Sequence, residues 1–69
     1  MTAPAYLPAV HRLSCAVDRQ GRAVTTAEWC DYEEEIRSAR YDIAARGGDP
    51  DAEHEAAIDR ASRISPNLY

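Results

Sequence analysis

The stretch TTAEWCDYEEEIRSARYDIAARGGDP, residues 25–50, carries the clearest structural signals in the chain. It begins with Thr25 and Glu28, a T-x-x-E pair in which each side chain can satisfy a free backbone amide at a helix N-terminus. Apolar residues then repeat at helical spacing for about five turns, at Trp29, Tyr32, Ile36, Ala39 and Ile43. The pattern predicts a helix over 26–46.

The end of the same stretch predicts a tight turn into a second helix. Gly47-Gly48 suits a helix C-terminus, because glycine reaches the left-handed conformation without steric cost. Asp49-Pro50 suits the N-cap and first position of the next helix, which we expect over 50–64. The apolar side of that helix carries His54, Ala57, Ile58, Ala61 and Ile64. A following Ser-Pro pair should stop it, which leaves residues 65–69 as a short tail.

Upstream of Thr25, apolar and polar residues alternate, which is the period of a strand with one buried face. The apolar members are Leu13, Cys15 and Val17. Residues 18–21, with the sequence DRQG, are typical of a turn closed by glycine. The pattern predicts a strand or hairpin over 10–25, and two prolines predict that residues 1–9 form an extended arm.

Together these elements predict a mostly α fold of one domain over residues 1–69, with a short N-terminal strand or hairpin followed by an antiparallel two-helix hairpin. A chain of 69 residues with few large aliphatic side chains can build only a small core, and short domains commonly gain stability by self-association. We therefore expect a homodimer. The predicted core and dimer contacts are Leu13, Val17, Trp29, Tyr32, Ile36, Ile43, Ile58 and Ile64.

The charge balance bears on partners and location. Twelve carboxylates against eight arginines give a formal net charge of -4, which works against general affinity for nucleic acid, since such affinity needs clustered positive charge. No apolar run approaches the roughly 20 residues that span a bilayer, and the N-terminus lacks the features of a signal peptide. We expect a cytoplasmic protein with no membrane partner.

No set of residues predicts catalysis, a cofactor or a metal site. The potential ligands are His11, Cys15, Cys30 and His54, and no pair of them has the spacing of a known zinc site or an orienting third group for a nucleophile. A reducing compartment favours free thiols over a disulfide. The run over 33–35, EEE, predicts a solvated helix face, with mimicry of a nucleic-acid backbone as the alternative. We expect a non-enzymatic protein.

Tyr41 is the best candidate for contact with a partner. It lies off the apolar seam of the first predicted helix, and Arg37 and Arg40 lie near it on that helix. Aromatic side chains with a polar group are common interface anchors, and arginine is enriched beside them. These three residues are therefore the predicted partner-binding site, with ordinary solvated arginines as the alternative interpretation.

The predicted order of strand, capped helix, tight turn and helix resembles the ribbon-helix-helix dimers. That resemblance implies that the strand pairs across the dimer and that Arg12 and Ser14, its outward residues, read the DNA major groove. The chain departs from the family in its acidic charge, its GGDP turn and a hairpin within one chain. A DNA-binding repressor or antitoxin is therefore the alternative function, and nucleic acid is not the leading partner.

The size, charge and layout of the whole chain also resemble the small host-takeover inhibitors of temperate phages, in particular the quorum-sensing anti-activators. This resemblance implies a protein that inhibits a host protein by binding it. The implied targets are a LuxR-type quorum-sensing transcriptional activator and the type IV pilus assembly ATPase. The resemblance rests on no specific motif, so it transfers no functional residue. A structural subunit of a larger assembly is a third hypothesis.

Overall fold

The computed structural model describes residues 3–64 and consists there of three α-helices without a β-strand. Helix α1 covers Leu7–Gly21, α2 covers Thr26–Ala45 and α3 covers Pro50–Ile64. Helices α2 and α3 agree with the two predicted helices to within one residue. The predicted tail over 65–69 lies outside the described residues, as does the side chain of Ile64.

The prediction of an N-terminal strand or hairpin over 10–25 is wrong, because α1 occupies most of that segment. The alternation that indicated a strand is short, and the same residues also fit a helical period. Helical spacing connects the buried and half-buried residues Ala9, Val10, Leu13, Ala16 and Val17. Pro8 lies in the first turn of α1, where proline costs no hydrogen bond. Residues 7–9, which were predicted to belong to an extended arm, therefore lie in α1, and the predicted turn over 18–21 is the last turn of α1.

Loss of the strand also overturns the ribbon-helix-helix architecture. That architecture requires an extended segment that pairs with its copy across a two-fold axis. In the described part of the chain this segment is helical. Arg12 and Ser14, the predicted outward strand residues, both make contacts within the chain. Arg12 forms an ion pair with Asp42 at 2.9 Å, and the Ser14 hydroxyl accepts a hydrogen bond from Arg60 at 2.5 Å.

The N-terminus of α2 is capped as its sequence indicates. The backbone N–H of Glu28 donates to the Thr25 hydroxyl at 3.1 Å, which satisfies one of the free amides of the first turn. The Glu28 carboxylate reaches back to accept from the N–H of Val24 at 3.4 Å, one residue before the cap. Both halves of the T-x-x-E pair therefore bind backbone amides.

The C-terminus of α2 ends in a Schellman motif. The N–H of Gly48 donates to the Ile43 carbonyl at 2.8 Å, and the N–H of Gly47 donates to the Ala44 carbonyl at 3.2 Å. Gly47 has a φ of 91°, which residues with a side chain rarely adopt. Gly48 is required for a different reason, because a Cβ there would lie 2.6 Å from Cγ2 of Ile43 and 3.0 Å from the Tyr6 ring.

Helix α3 starts where Asp49 caps it. One Asp49 carboxylate oxygen accepts from the N–H of Asp51 at 3.1 Å and from the N–H of Ala52 at 3.3 Å. The Asp49 carbonyl accepts from the N–H of Glu53 at 3.1 Å, which is the first helical bond. The N-cap role that the sequence predicts for Asp49 is therefore present.

The core is small and rich in alanine. Its buried members are Ala9, Val10, Leu13, Ala16, Ile36, Ala39, Ile43 and Ala57. Alanine allows helix axes to approach closely but buries little apolar surface. Helix α3 contributes a single residue to this set, Ala57. The two largest fully buried side chains are Leu13 of α1 and Ile43 of α2. The packing of α1 against α2 is therefore the main source of apolar stabilisation.

Candidate protein-binding surface

The three residues predicted to bind a partner lie in different environments. Tyr41 is 75% exposed and Arg37 is also exposed. Arg40 is half-buried, and its guanidinium donates to the Asp51 carboxylate and lies 3.0 Å from Nδ1 of His54. Since arginine only donates hydrogen bonds, Nδ1 of His54 acts as an acceptor in that contact. Arg40 therefore links α2 to α3. Of the three predicted partner-binding residues, Arg37 and Tyr41 are the two that are exposed to solvent.

The residues predicted for the core and dimer contacts differ in how far they are buried. Leu13, Ile36 and Ile43 are buried in the single chain. Val17 and Tyr32 are half-buried. The remaining two with described side chains are exposed, Trp29 to 47% and Ile58 to 52%. Exposed members of the predicted set remain available for contact with another molecule.

Trp29 lies on the predicted apolar seam of α2 but extends beyond the core. The last turn of α1 offers it a polar neighbour, because the side-chain amide of Gln20 donates to the Trp29 carbonyl at 3.3 Å and to the Glu33 carboxylate at 2.7 Å. Val24, the residue before the cap, is at the position from which an apolar side chain often packs on the fourth helical residue, here Trp29. It is 87% exposed and so contributes little packing. The indole therefore keeps about half of its surface in water.

The first half of α2, which carries this indole, is strongly negative. It carries Glu28, Asp31, Glu33, Glu34 and Glu35. Within residues 3–64 none of these carboxylates forms an ion pair with an arginine or histidine. Glu33 is half-buried, and the other four carboxylates are exposed. We call Trp29 together with these five carboxylates the acidic tryptophan surface. In the sequence, this surface could be recognised from an aromatic residue of the apolar seam that lies among closely spaced acidic residues.

A second surface is an open groove of about 550 Å³ between α1 and α2. Helix α1 lines it with His11, Arg12, Cys15, Ala16 and Arg19, and α2 lines it with Asp31, Tyr32 and Glu35. Its two walls carry opposite charge, so neither a strongly anionic nor a strongly cationic ligand is favoured there. Four of its eight lining residues are charged, whereas small-molecule sites are lined predominantly by apolar and aromatic side chains.

The four potential metal ligands of the sequence do not form one site. His11 and Cys15 line the groove, whereas His54 lies against Arg40. Among residues 3–64 no group of three or more histidine, cysteine, aspartate or glutamate side chains is placed to hold a metal ion. Cys15 and Cys30 are free thiols, and both are exposed rather than buried. No helix in this part of the chain combines the length and apolar content that crossing a bilayer requires.

Comparison with known proteins does not extend this description. No protein-family model, no curated protein and no solved structure matches the chain.

Proposed function

We propose that this chain is a non-enzymatic protein of the bacterial cytoplasm that inhibits a host protein by binding it through the acidic tryptophan surface. The observation that carries the proposal is the exposure of Trp29. It is the single tryptophan of the sequence, and 47% of it is in contact with water on the first half of α2. About half of the indole surface is therefore left for burial against a partner.

The chemistry of the surface selects the kind of partner. Tryptophan is enriched among the few interface residues that supply most of the binding free energy, because it buries a large apolar area and can also donate a hydrogen bond. The surrounding carboxylates attract a positively charged surface and speed its approach. The formal net charge of -4 acts in the same direction. The expected partner therefore presents an apolar pocket with a basic rim.

A LuxR-type transcriptional activator fits this description best. A protein that binds DNA must carry clustered positive charge on its DNA-binding face, and an acidic surface that covers this face would block DNA binding. The resemblance to phage inhibitors supports the same target. The type IV pilus assembly ATPase is the second target that the resemblance implies. We do not propose a DNA-binding function for this chain. The residues expected to read DNA are Arg12 and Ser14, and both contact other residues of the chain instead, Arg12 with Asp42 and Ser14 with Arg60.

Binding to the purified activator tests the proposal. Titration calorimetry should detect a complex with the natural chain, and Trp29→Ala should weaken it by about 30-fold, which corresponds to about 2 kcal/mol for a central interface residue. Val24→Ala is the matched control, because Val24 is a neighbouring exposed apolar residue outside the surface. It should change the affinity by less than about threefold.

Two further measurements complete the test. The complex should weaken as salt rises from 50 to about 300 mM, because screening reduces attraction between exposed charges, and the natural chain should displace the activator from its DNA site. Absence of binding to both the activator and the ATPase at low salt contradicts the proposed function. Equal affinity of the natural chain and the Trp29→Ala variant contradicts the assignment of the surface.

A further inference from the structure

The side of α2 that points away from the core carries a regular row of exposed residues. Its members are Ala27, Cys30, Glu34, Arg37, Tyr41 and Ala44, and all of them are exposed. Their spacing is 3, 4, 3, 4 and 3 residues, the spacing of the contact positions in a two-stranded coiled coil. We call this row the outer stripe. The buried residues Ile36, Ala39 and Ile43 occupy other faces of the same helix.

The outer stripe is complementary to itself when it is read in the opposite direction. In an antiparallel pair of α2 helices centred between residues 35 and 36, Glu34 lies opposite Arg37 of the second copy. Cys30 lies opposite Tyr41, and Ala27 lies opposite Ala44. A two-fold axis repeats each of these contacts. The two-fold pairing therefore contains two Glu34–Arg37 pairs of opposite charge. It also contains two Cys30–Tyr41 pairs, each of a small and a large side chain, and an Ala27–Ala44 pair of small side chains at each end.

The charge distribution along α2 favours the same orientation. Before residue 36, all the charged side chains of α2 are carboxylates, whereas after it the helix carries Arg37 and Arg40 against one aspartate, Asp42. Antiparallel pairing places each acidic half beside a basic half and also opposes the two helix dipoles favourably. Parallel pairing would place five carboxylates beside five others. Electrostatics therefore selects the antiparallel arrangement.

The core is small, so burial of the outer stripe against another molecule would add stability. Four of the eight buried residues are alanines, and domains of this length commonly require a partner subunit, a metal or a disulfide for stability. The described residues hold no disulfide and no metal-ligand cluster. Side chains on the outer stripe are short at Ala27, Cys30 and Ala44, so two α2 helices can approach closely there.

We propose that a second copy of this chain occupies the outer stripe, in a two-fold antiparallel pair of α2 helices held by Glu34–Arg37 contacts between the copies. The inference is independent of the proposed host target. Trp29 lies roughly 110° around the helix from the centre of the stripe, at about 100° per residue. The dimer therefore uses Glu34 of the acidic tryptophan surface but leaves Trp29 and the other four carboxylates outside the stripe.

A charge exchange at the centre of the stripe tests this arrangement by sedimentation equilibrium. Glu34→Arg and Arg37→Glu should each raise the dimer dissociation constant by at least about tenfold, because each places like charges together twice across the axis. The double variant should return to within about threefold of the natural value. Glu55→Arg is the control, since it makes the same change of charge on the exposed side of α3.

Disulfide trapping tests the register. In a Cys15→Ser background, Tyr41→Cys should give a disulfide-linked dimer under mild oxidation, because the new thiol lies opposite Cys30 of the second copy. The background protein alone should not be linked, since its two Cys30 residues are separated by eleven helical positions, roughly 17 Å, beyond the reach of a disulfide. Glu55→Cys serves as the positional control and should not be linked.

The outcomes separate this inference from its alternatives. A natural chain that stays monomeric at high concentration overturns it, as does a charge-exchanged double variant that does not recover. Linkage of Cys30 to Cys30 in the background protein would show a parallel pair and also overturn it. Absence of host binding by the natural chain, or equal host affinity of the natural chain and the Trp29→Ala variant, with dimerisation unchanged, would count only against the proposed function.

Discussion

Near its C-terminal end the inner face of α2 is covered by other parts of the chain, whereas the apolar residues at its N-terminal end are open to solvent. Ile43 is fully buried, and the ring of Tyr6 packs on the backbone of Gly48. At the other end Thr25 caps the helix equally well, yet Trp29 is 47% exposed and Val24 is 87% exposed. The two ends have comparable local signals and different surroundings.

The difference shows that capping and burial have separate causes. A cap is a contact between residues three to five positions apart, so the helix end provides it by itself. Burial requires another segment of suitable chemistry at the right place. The start of α1 brings an aromatic ring to one end of α2, and the last turn of α1 brings the amide of Gln20 to the other. One end is thereby used for stability, and the other is available for binding.

The largest expected effect compares two apolar residues of the same seam. Ile43→Ala should lower the free energy of unfolding by about 2 to 5 kcal/mol, because it leaves a cavity in the core. Trp29→Ala should cost less, about 1 to 2 kcal/mol, because about half of the residue is in water. Urea unfolding at one fixed protein concentration measures both. If Ile43→Ala does not fold, Ile43→Val should still cost about 0.5 to 1.5 kcal/mol. Equal losses for the alanine variants would remove the contrast between the two ends.

An intermediate effect is expected at the enclosed end from the glycines. Gly48→Ala should cost about 1 to 3 kcal/mol, since its methyl group would overlap the side chains of Ile43 and Tyr6. Gly21→Ala is the matched control, because no atom lies within 4 Å of the added Cβ there. It should be neutral or stabilise the protein by up to about 1 kcal/mol through helix propensity. Thermal or urea unfolding measures the stability of both variants. Equal stability of Gly48→Ala and Gly21→Ala would contradict the close contact with Tyr6.

The smallest expected effect is at the open end. Thr25→Ala removes the hydroxyl that accepts from Glu28 and should cost about 1 kcal/mol. Thr26→Ala changes the same residue type one position later, where the described structure has no side-chain cap bond, and should be nearly neutral. Urea unfolding distinguishes them. A Thr25→Ala variant as stable as the natural chain would mean that the open end of α2 does not depend on its cap.

The sequence supported correct prediction of α2 and α3 because their boundaries are local. The capping pair, the two glycines and Asp49-Pro50 each act within a few residues, and each is present in the structure as hydrogen bonds or a left-handed φ. The prediction for α1 was wrong because Leu13, Cys15 and Val17 fit a period of two over too few residues. A wider window, from Pro8 to Val17, fits a helical period and includes the proline expected in a first turn.

The candidate surfaces were harder to predict than the helices. Arg40 was expected to face a partner, and it instead binds Asp51 and His54 across the α2–α3 contact. Trp29 was expected in the core from its position on the seam, and α1 places a polar side chain beside it. Arg37 and Tyr41 are exposed, which is compatible with the predicted role in binding. A helical wheel shows which residues share a face but not which face another helix covers.

The sequence by itself determined where α2 and α3 begin and end, the separation of acidic and basic halves along α2, and the net negative charge. These are properties of neighbouring residues or of simple counts, so they need no knowledge of the rest of the fold. Only the tertiary structure decided that Ile43 is buried while Trp29 is exposed, that Arg40 is engaged with α3, and that the outer stripe is uncovered. Burial and pairing depend on contacts between residues distant in the chain, and those contacts exist only once α1, rather than a strand, packs on α2.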